Sequence, residues 1–169
     1  MKIMKAIIET PKGSSMKYDY NPEIHLFELS KILPAGMVFP YDFGFIPETK
    51  GEDGDPLDVI IISEFHSFTG CVLPCRIIGA IEAQQSTHRK GKEVFIRNDR
   101  YIAIPVSSSI FEKVKNITDL PKKIMFELAM FFEDYNKIED KMFIPQANIK
   151  SKKAIKEILK NKKLEMNIK

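Results

Sequence analysis

Hydrophobic and polar positions change their period once along this chain, near residue 106. Before that point apolar residues come in short alternating runs or compact β-branched blocks, separated by turn chemistry. Residues 5–9 and 17–20 are β-prone runs broken by Pro11-Lys12-Gly13-Ser14. Residues 26–32 follow a turn at Asn21-Pro22-Glu23, and residues 57–63 and 76–82 are bounded by Pro or Gly. Residues 94–106 form the longest candidate strand, while 86–95, with His88-Arg89-Lys90-Gly91-Lys92, reads as an extended loop. Short, closely spaced strands of this kind predict a small barrel or sandwich.

Beyond residue 106 the period lengthens. Thr118 and Asp119 can cap a helix with Pro121 in its first turn. Ile124, Leu128, Phe131, Tyr135 and Ile138 then recur at spacings of four, three, four and three, one face of an amphipathic helix that needs an apolar wall to lie on. A weaker helical pattern covers residues 151–160. The predicted fold class is mainly β with α, a small barrel with a long helix packed outside and a short C-terminal helix. No internal repeat or linker divides it.

Composition adds little until charge is located. With 44% apolar and 29% charged residues the chain reads as globular, and no apolar run approaches the roughly 20 residues that span a bilayer. The first nine residues are too short and too soon acidic for a signal peptide, so a cytoplasmic address is the default expectation. Cys71 and Cys75, without a His at ligand spacing, read as reduced thiols. The net +3 conceals a local +6 in residues 150–169, which hold eight Lys against Glu157 and Glu165; the rest of the chain sums to −3. We therefore expect a mildly acidic domain over 1–149 and a helical, solvated Lys-rich tail over 150–169.

The densest chemistry is Asp53-Gly54-Asp55-Pro56-Leu57-Asp58, three carboxylates entering an apolar strand. Like charges that close oppose one another's ionisation, and a hard divalent cation removes the conflict. A solvated acidic turn is the plainer alternative. An EF-hand loop starting at Asp53 is not, because its sixth position, where Gly is needed, holds Asp58 and its flanks are β-prone.

Asp-Gly-Asp-Pro-Leu-Asp-Val resembles the signature of the family I soluble inorganic pyrophosphatases. The likeness extends over roughly residues 6 to 145, through Ile8-Glu9-Thr10-Pro11, Met16-Lys17-Tyr18-Asp19, Phe39-Pro40-Tyr41-Asp42-Phe43-Gly44-Phe45-Ile46-Pro47, Ile102-Ala103-Ile104-Pro105 and Phe131-Phe132-Glu133-Asp134-Tyr135. The resemblance implies a five-stranded OB-like barrel, magnesium-dependent hydrolysis of pyrophosphate, and a homo-oligomer, commonly a hexamer. It implies Asp53 and Asp58 as metal ligands, Asp55 as general base and Glu9 as an active-site carboxylate. By the same resemblance Lys17, Lys31, Arg100 and Tyr135 hold phosphate, Lys31 standing where the family has an Arg and Arg100 where it has a Lys.

Two further aspartate ligands of that family fall on Gln85 and Asn98. Alternation along a strand puts Asn98 and Arg100 on one face and Asp99 on the other. A bulge would turn Asp99 inward as the missing ligand, and that is the expectation adopted for Asp99. Phe43 replaces a Tyr, and Asn136 a Lys. The competing function is a catalytically impaired barrel that binds nucleic acid or another polyanion. An acidic body without Trp lacks the basic groove and stacking platforms such binding needs, so no nucleic-acid partner is expected.

Overall fold

The computed structural model describes residues 2–162. Its strands are β1 (Ile3–Thr10), β2 (Met16–Asn21), β3 (Leu26–Ile32), β4 (Asp42–Ile46), β5 (Leu57–Ile61), β6 (Val72–Arg89), β7 (Lys92–Arg97), β8 (Arg100–Pro105) and β9 (Phe143–Lys150). The helices are α1 (Lys122–Lys137) and α2 (Ser151–Lys160), preceded by a 3-10 turn at Ile117–Asp119. β1 pairs with β4, β4 with β5, β5 in parallel with β8, β8 with β6, and β6 again with β1. These pairings close a ring of five strands, the expected OB-like barrel. β2 and β3 form a separate two-stranded sheet.

Side-chain alternation explains where the core lies. Met4, Ala6, Ile8 and Thr10 all point inward from β1 at period two. Every ring strand contributes to one apolar cluster, with Ile46, Val59, Ile61, Cys75, Ile77, Tyr101 and Ala103 among its members, and this fills the lumen. A second cluster lies outside the wall, where Ile60, Ile78, Ile102 and Ile104 meet α1. β5 and β8 are therefore buried on both faces, which is why their sequences read as continuous apolar runs.

Three expectations change. Residues 94–106 are two strands, interrupted at Asn98-Asp99, because β7 pairs only with the far end of β6 while β8 lies between β6 and β5. The supposed loop at 86–95 is a hairpin: Lys90 and Gly91 take positive φ of 52° and 74°, a two-residue turn whose twist suits the strands it joins. α2 is not a solvated tail, since Ala154 and Ile158 are fully buried and join the lumen cluster. Residues 163–169 of the expected tail lie outside the described residues.

β4 and β9 were not expected. All five residues of β4 are buried, so it shows no alternation, and β9 carries Pro145 in mid-strand, tolerated beside a register shift against β6. On α1 the buried stripe is Leu128, Phe132, Tyr135 and Asn136, with Ile138 exposed; Phe132 takes the inward place assigned to Phe131. Pro121 stands at the N-cap, and Thr118 and Asp119 belong to the 3-10 turn. Among the described residues no helix is long and apolar enough to cross a membrane.

Candidate active site

The acidic segment is the loop between β4 and β5. Gly54 takes a φ of 99°, a conformation that favours glycine, and the Asp53 carboxylate accepts the Asp55 N–H at 3.1 Å. Asp53 and Asp55 are exposed at this turn. Asp58 lies on β5, half-buried, and the parallel register Val59 to Tyr101 sets it beside Arg100 at the start of β8. Arg100 Nη1 donates to Asp58 Oδ2 at 2.5 Å.

Opposite stand the lysines. Lys17 on β2 and Lys31 on β3 are register partners, two cations side by side that need anions to hold them. Lys17 is buried and its ammonium donates to Glu9 at 3.3 Å, to the Tyr18 carbonyl at 2.6 Å and to Asp19. It also lies 5.0 Å from the centre of the Phe43 ring. Lys31 pairs with Glu139 and sits 4.8 Å from the centre of the Tyr135 ring. Glu9, next to last on β1, has its other oxygen accepting the Tyr20 N–H at 2.9 Å, which fastens the β2–β3 sheet to the barrel.

The electrostatics join these groups into one site. Burial, outweighing the attraction of Lys17, pushes the Glu9 carboxyl up to about 7, with Asp58 adding to the rise. Burial raises Asp58 despite Arg100 and Lys17, and burial with the neighbouring Asp53 raises Asp55. Burial opposes the charge of Lys17, yet Glu9 and Asp19 hold the ammonium above its ordinary value. The Tyr135 hydroxyl is raised by burial, although Lys17 and Arg100 both pull it down. Asp55 and Asp58 resist ionisation with a third carboxylate, Asp53, close by, and a hard divalent cation relieves such crowding, so the three fit one chemically. They do not form a ready-made cage: among the described residues no three such groups converge.

Arg100 has a second set of partners. Nη1 donates to Asn98 Oδ1 at 2.5 Å and Nη2 to Gln85 Oε1 at 3.3 Å, while Asn98 Nδ2 donates to Gln85 Oε1 at 2.9 Å. The plain strand register holds, with Asn98 and Arg100 sharing a face. Asp99 is thereby corrected: its carboxylate turns away, accepting the Ala83 N–H at 3.2 Å and Arg97 Nε at 2.8 Å, and no bulge re-aims it. Glu9, Lys17, Arg100, Tyr135 and Asp58 are brought together, with Lys31 beside Tyr135 and Asp53 and Asp55 at the rim. Asp19 and Glu139, which hold the lysines, carried no role in the sequence reading. Asp19 was within reach, two positions from Lys17 on one strand face; Glu139 lies past the end of α1 and had no local signal.

The chain matches the family described as inorganic pyrophosphatase over residues 6–167. It is 36% identical over 140 residues to an inorganic pyrophosphatase of Geobacillus stearothermophilus, covering 83% of this chain and 80% of that protein. An inorganic pyrophosphatase of Saccharolobus solfataricus is 30% identical over 164 residues, covering 95% and 92%. Among solved structures, the inorganic pyrophosphatase of Thermus thermophilus superimposes with a TM-score of 0.84 at 27% identity, over 94% of this chain and 88% of that one. Since the match spans the barrel, the helix on its wall and the helix at its end, the chain belongs to the inorganic pyrophosphatase family.

Proposed function

We propose that the chain hydrolyses pyrophosphate between the acidic loop and the two lysines, with Asp53 and Asp58 holding a divalent cation, magnesium by the resemblance. The observation that supports this assignment is the juxtaposition of Asp58 and Glu9 with Lys17 and Arg100, anions and cations on facing elements of one cluster. A bound cation would neutralise phosphoryl oxygens and acidify the attacking water.

The remaining steps fall to this chain's own side chains. Lys17, Lys31 and Arg100 take the phosphate oxygens and spread the charge that develops on the leaving group. Asp55, on the exposed turn beside Asp53, accepts the proton as the water oxygen bonds to phosphorus and the bridging P–O bond breaks. The Tyr135 hydroxyl stays protonated and can donate to the departing phosphate. Glu9 and Asp19 keep Lys17 charged and aimed. Lys31 is a point charge, so it neutralises without fixing orientation; the planar fork of Arg100 supplies the directionality.

The test is phosphate release from pyrophosphate with magnesium. Asp58→Asn should lower kcat by roughly a hundredfold or more. Unchanged turnover in Asp58→Asn, or full activity in excess chelator, would remove the metal assignment.

A further inference from the structure

We infer that Arg100 is a resident cation: its guanidinium fills one cation position of the carboxylate cluster and competes with a divalent metal for Asp58. The inference rests on the reading of Asp58 as a metal ligand.

The surroundings of the guanidinium resemble a hard-cation coordination shell. A carboxylate oxygen of Asp58 and an amide oxygen of Asn98 lie 2.5 Å from Nη1, the Asn98 backbone carbonyl 3.2 Å from it, and the Gln85 amide oxygen 3.3 Å from Nη2. Carboxylate, side-chain amide and backbone carbonyl oxygens are the donors calcium and magnesium accept. Here the Asn98–Gln85 hydrogen bond turns both amide oxygens toward the arginine. Phe132 and Phe143 place their rings 5.1 and 5.2 Å from Cζ, an aromatic pair that favours a cation and excludes water. Arg100 itself is 4% exposed.

The orphaned atom agrees. Nε is buried without a hydrogen-bond partner, so the arginine is held only by its outer edge, the edge that faces these oxygens. Neutral amides contribute no charge. Asp58 and Arg100 cancel, and a dication approaching Asp58 meets a neutral pair already in short contact instead of a free anion. Removing the positive charge should therefore tighten metal binding, even while it harms turnover by deleting a phosphate ligand.

Manganese binding to the chelator-stripped enzyme without substrate, followed by the electron spin resonance of the free ion, tests this apart from activity. Arg100→Gln, neutral and able to keep polar contacts, should bind its tightest manganese at least tenfold more strongly than the unaltered chain. Arg100→Lys, which keeps the charge, should stay within about threefold of it. Unchanged or weaker binding in Arg100→Gln overturns the inference, as does equal tightening in Arg100→Lys. If Arg100→Gln does not fold by circular dichroism, Arg100→Met, whose chain can fill the space between the two rings, replaces it with the same expected gain. Asp58→Asn separates the levels: it should weaken manganese binding, and undiminished binding there overturns the metal reading on which the inference stands.

Discussion

Glu9 shows how this site stores its tension in single residues. Its side chain is almost wholly enclosed, and the Lys17 ammonium at 3.3 Å does not fully offset the loss of hydration. The carboxyl consequently rises from 4.5 to about 7. Below pH 4.5 it is neutral whether the chain is folded or not, so the stability is fully present there. As pH climbs to about 7 the unfolded chain ionises first, and stability drains away, on the order of 3 kcal/mol in all. Urea midpoints of the chelated protein should fall between pH 5 and 8, and Glu9→Gln should flatten that fall. An equal slope in the variant would assign the titration to another group. That Asp53, Asp58, Lys17 and Arg100 lie near one another was legible through the motifs that carry the family resemblance. The orientation of Asp99 was not, because it depends on whether a strand runs straight through Asn98 or bulges, a matter settled by Arg97 and the Ala83 N–H.

Among the elements, α2 departs most from its sequence. Eight lysines over residues 150–169 read as a solvated arm, yet period 3.6 also places Ala154 and Ile158 on one side, and both are fully buried. Ser151 begins the helix by donating its hydroxyl to the Ile77 carbonyl at 2.6 Å. Near its other end Asn161 accepts the Lys50 N–H at 2.9 Å, just before the acidic loop. Truncation after Lys150 should therefore destabilise the domain by at least the 2–5 kcal/mol typical of emptying one large core site. An unchanged melting temperature in the truncated chain would return α2 to the status of a tail. The boundaries of β3 and α2 could be read from the sequence because turn residues and helical period flank them cleanly. Phe-Gly-Phe in β4 could not: its Gly44 lies so close to the Ile7 carbonyl that an added Cβ would be 1.9 Å from it. That reason for a glycine in mid-strand is visible only once the two strands meet.

For the molecule as a whole, the surface retains large apolar side chains, including Leu26, Leu29 and Ile32 on β3 and Phe68, Ile110 and Phe126 elsewhere. Three of these fall on the one short strand β3, and an apolar row of that kind suits a contact between copies. Light scattering should give a multiple of the single-chain mass, six by the resemblance, and a single-chain mass at micromolar concentration would count against it. The ring of strands has one further consequence, for the order in which the chain is made. β6 is the partner of β1, β7, β8 and β9, so β1 cannot complete its pairing, nor the ring close, before that strand appears. The ring then waits for β8, and the lumen for Ala154 and Ile158. Most contacts join distant parts of the sequence, which slows folding. A nascent chain halted after β5 thus has no barrel to fold into, and the apolar strands β1, β4 and β5 spend translation as clients for whatever shields them at the ribosome.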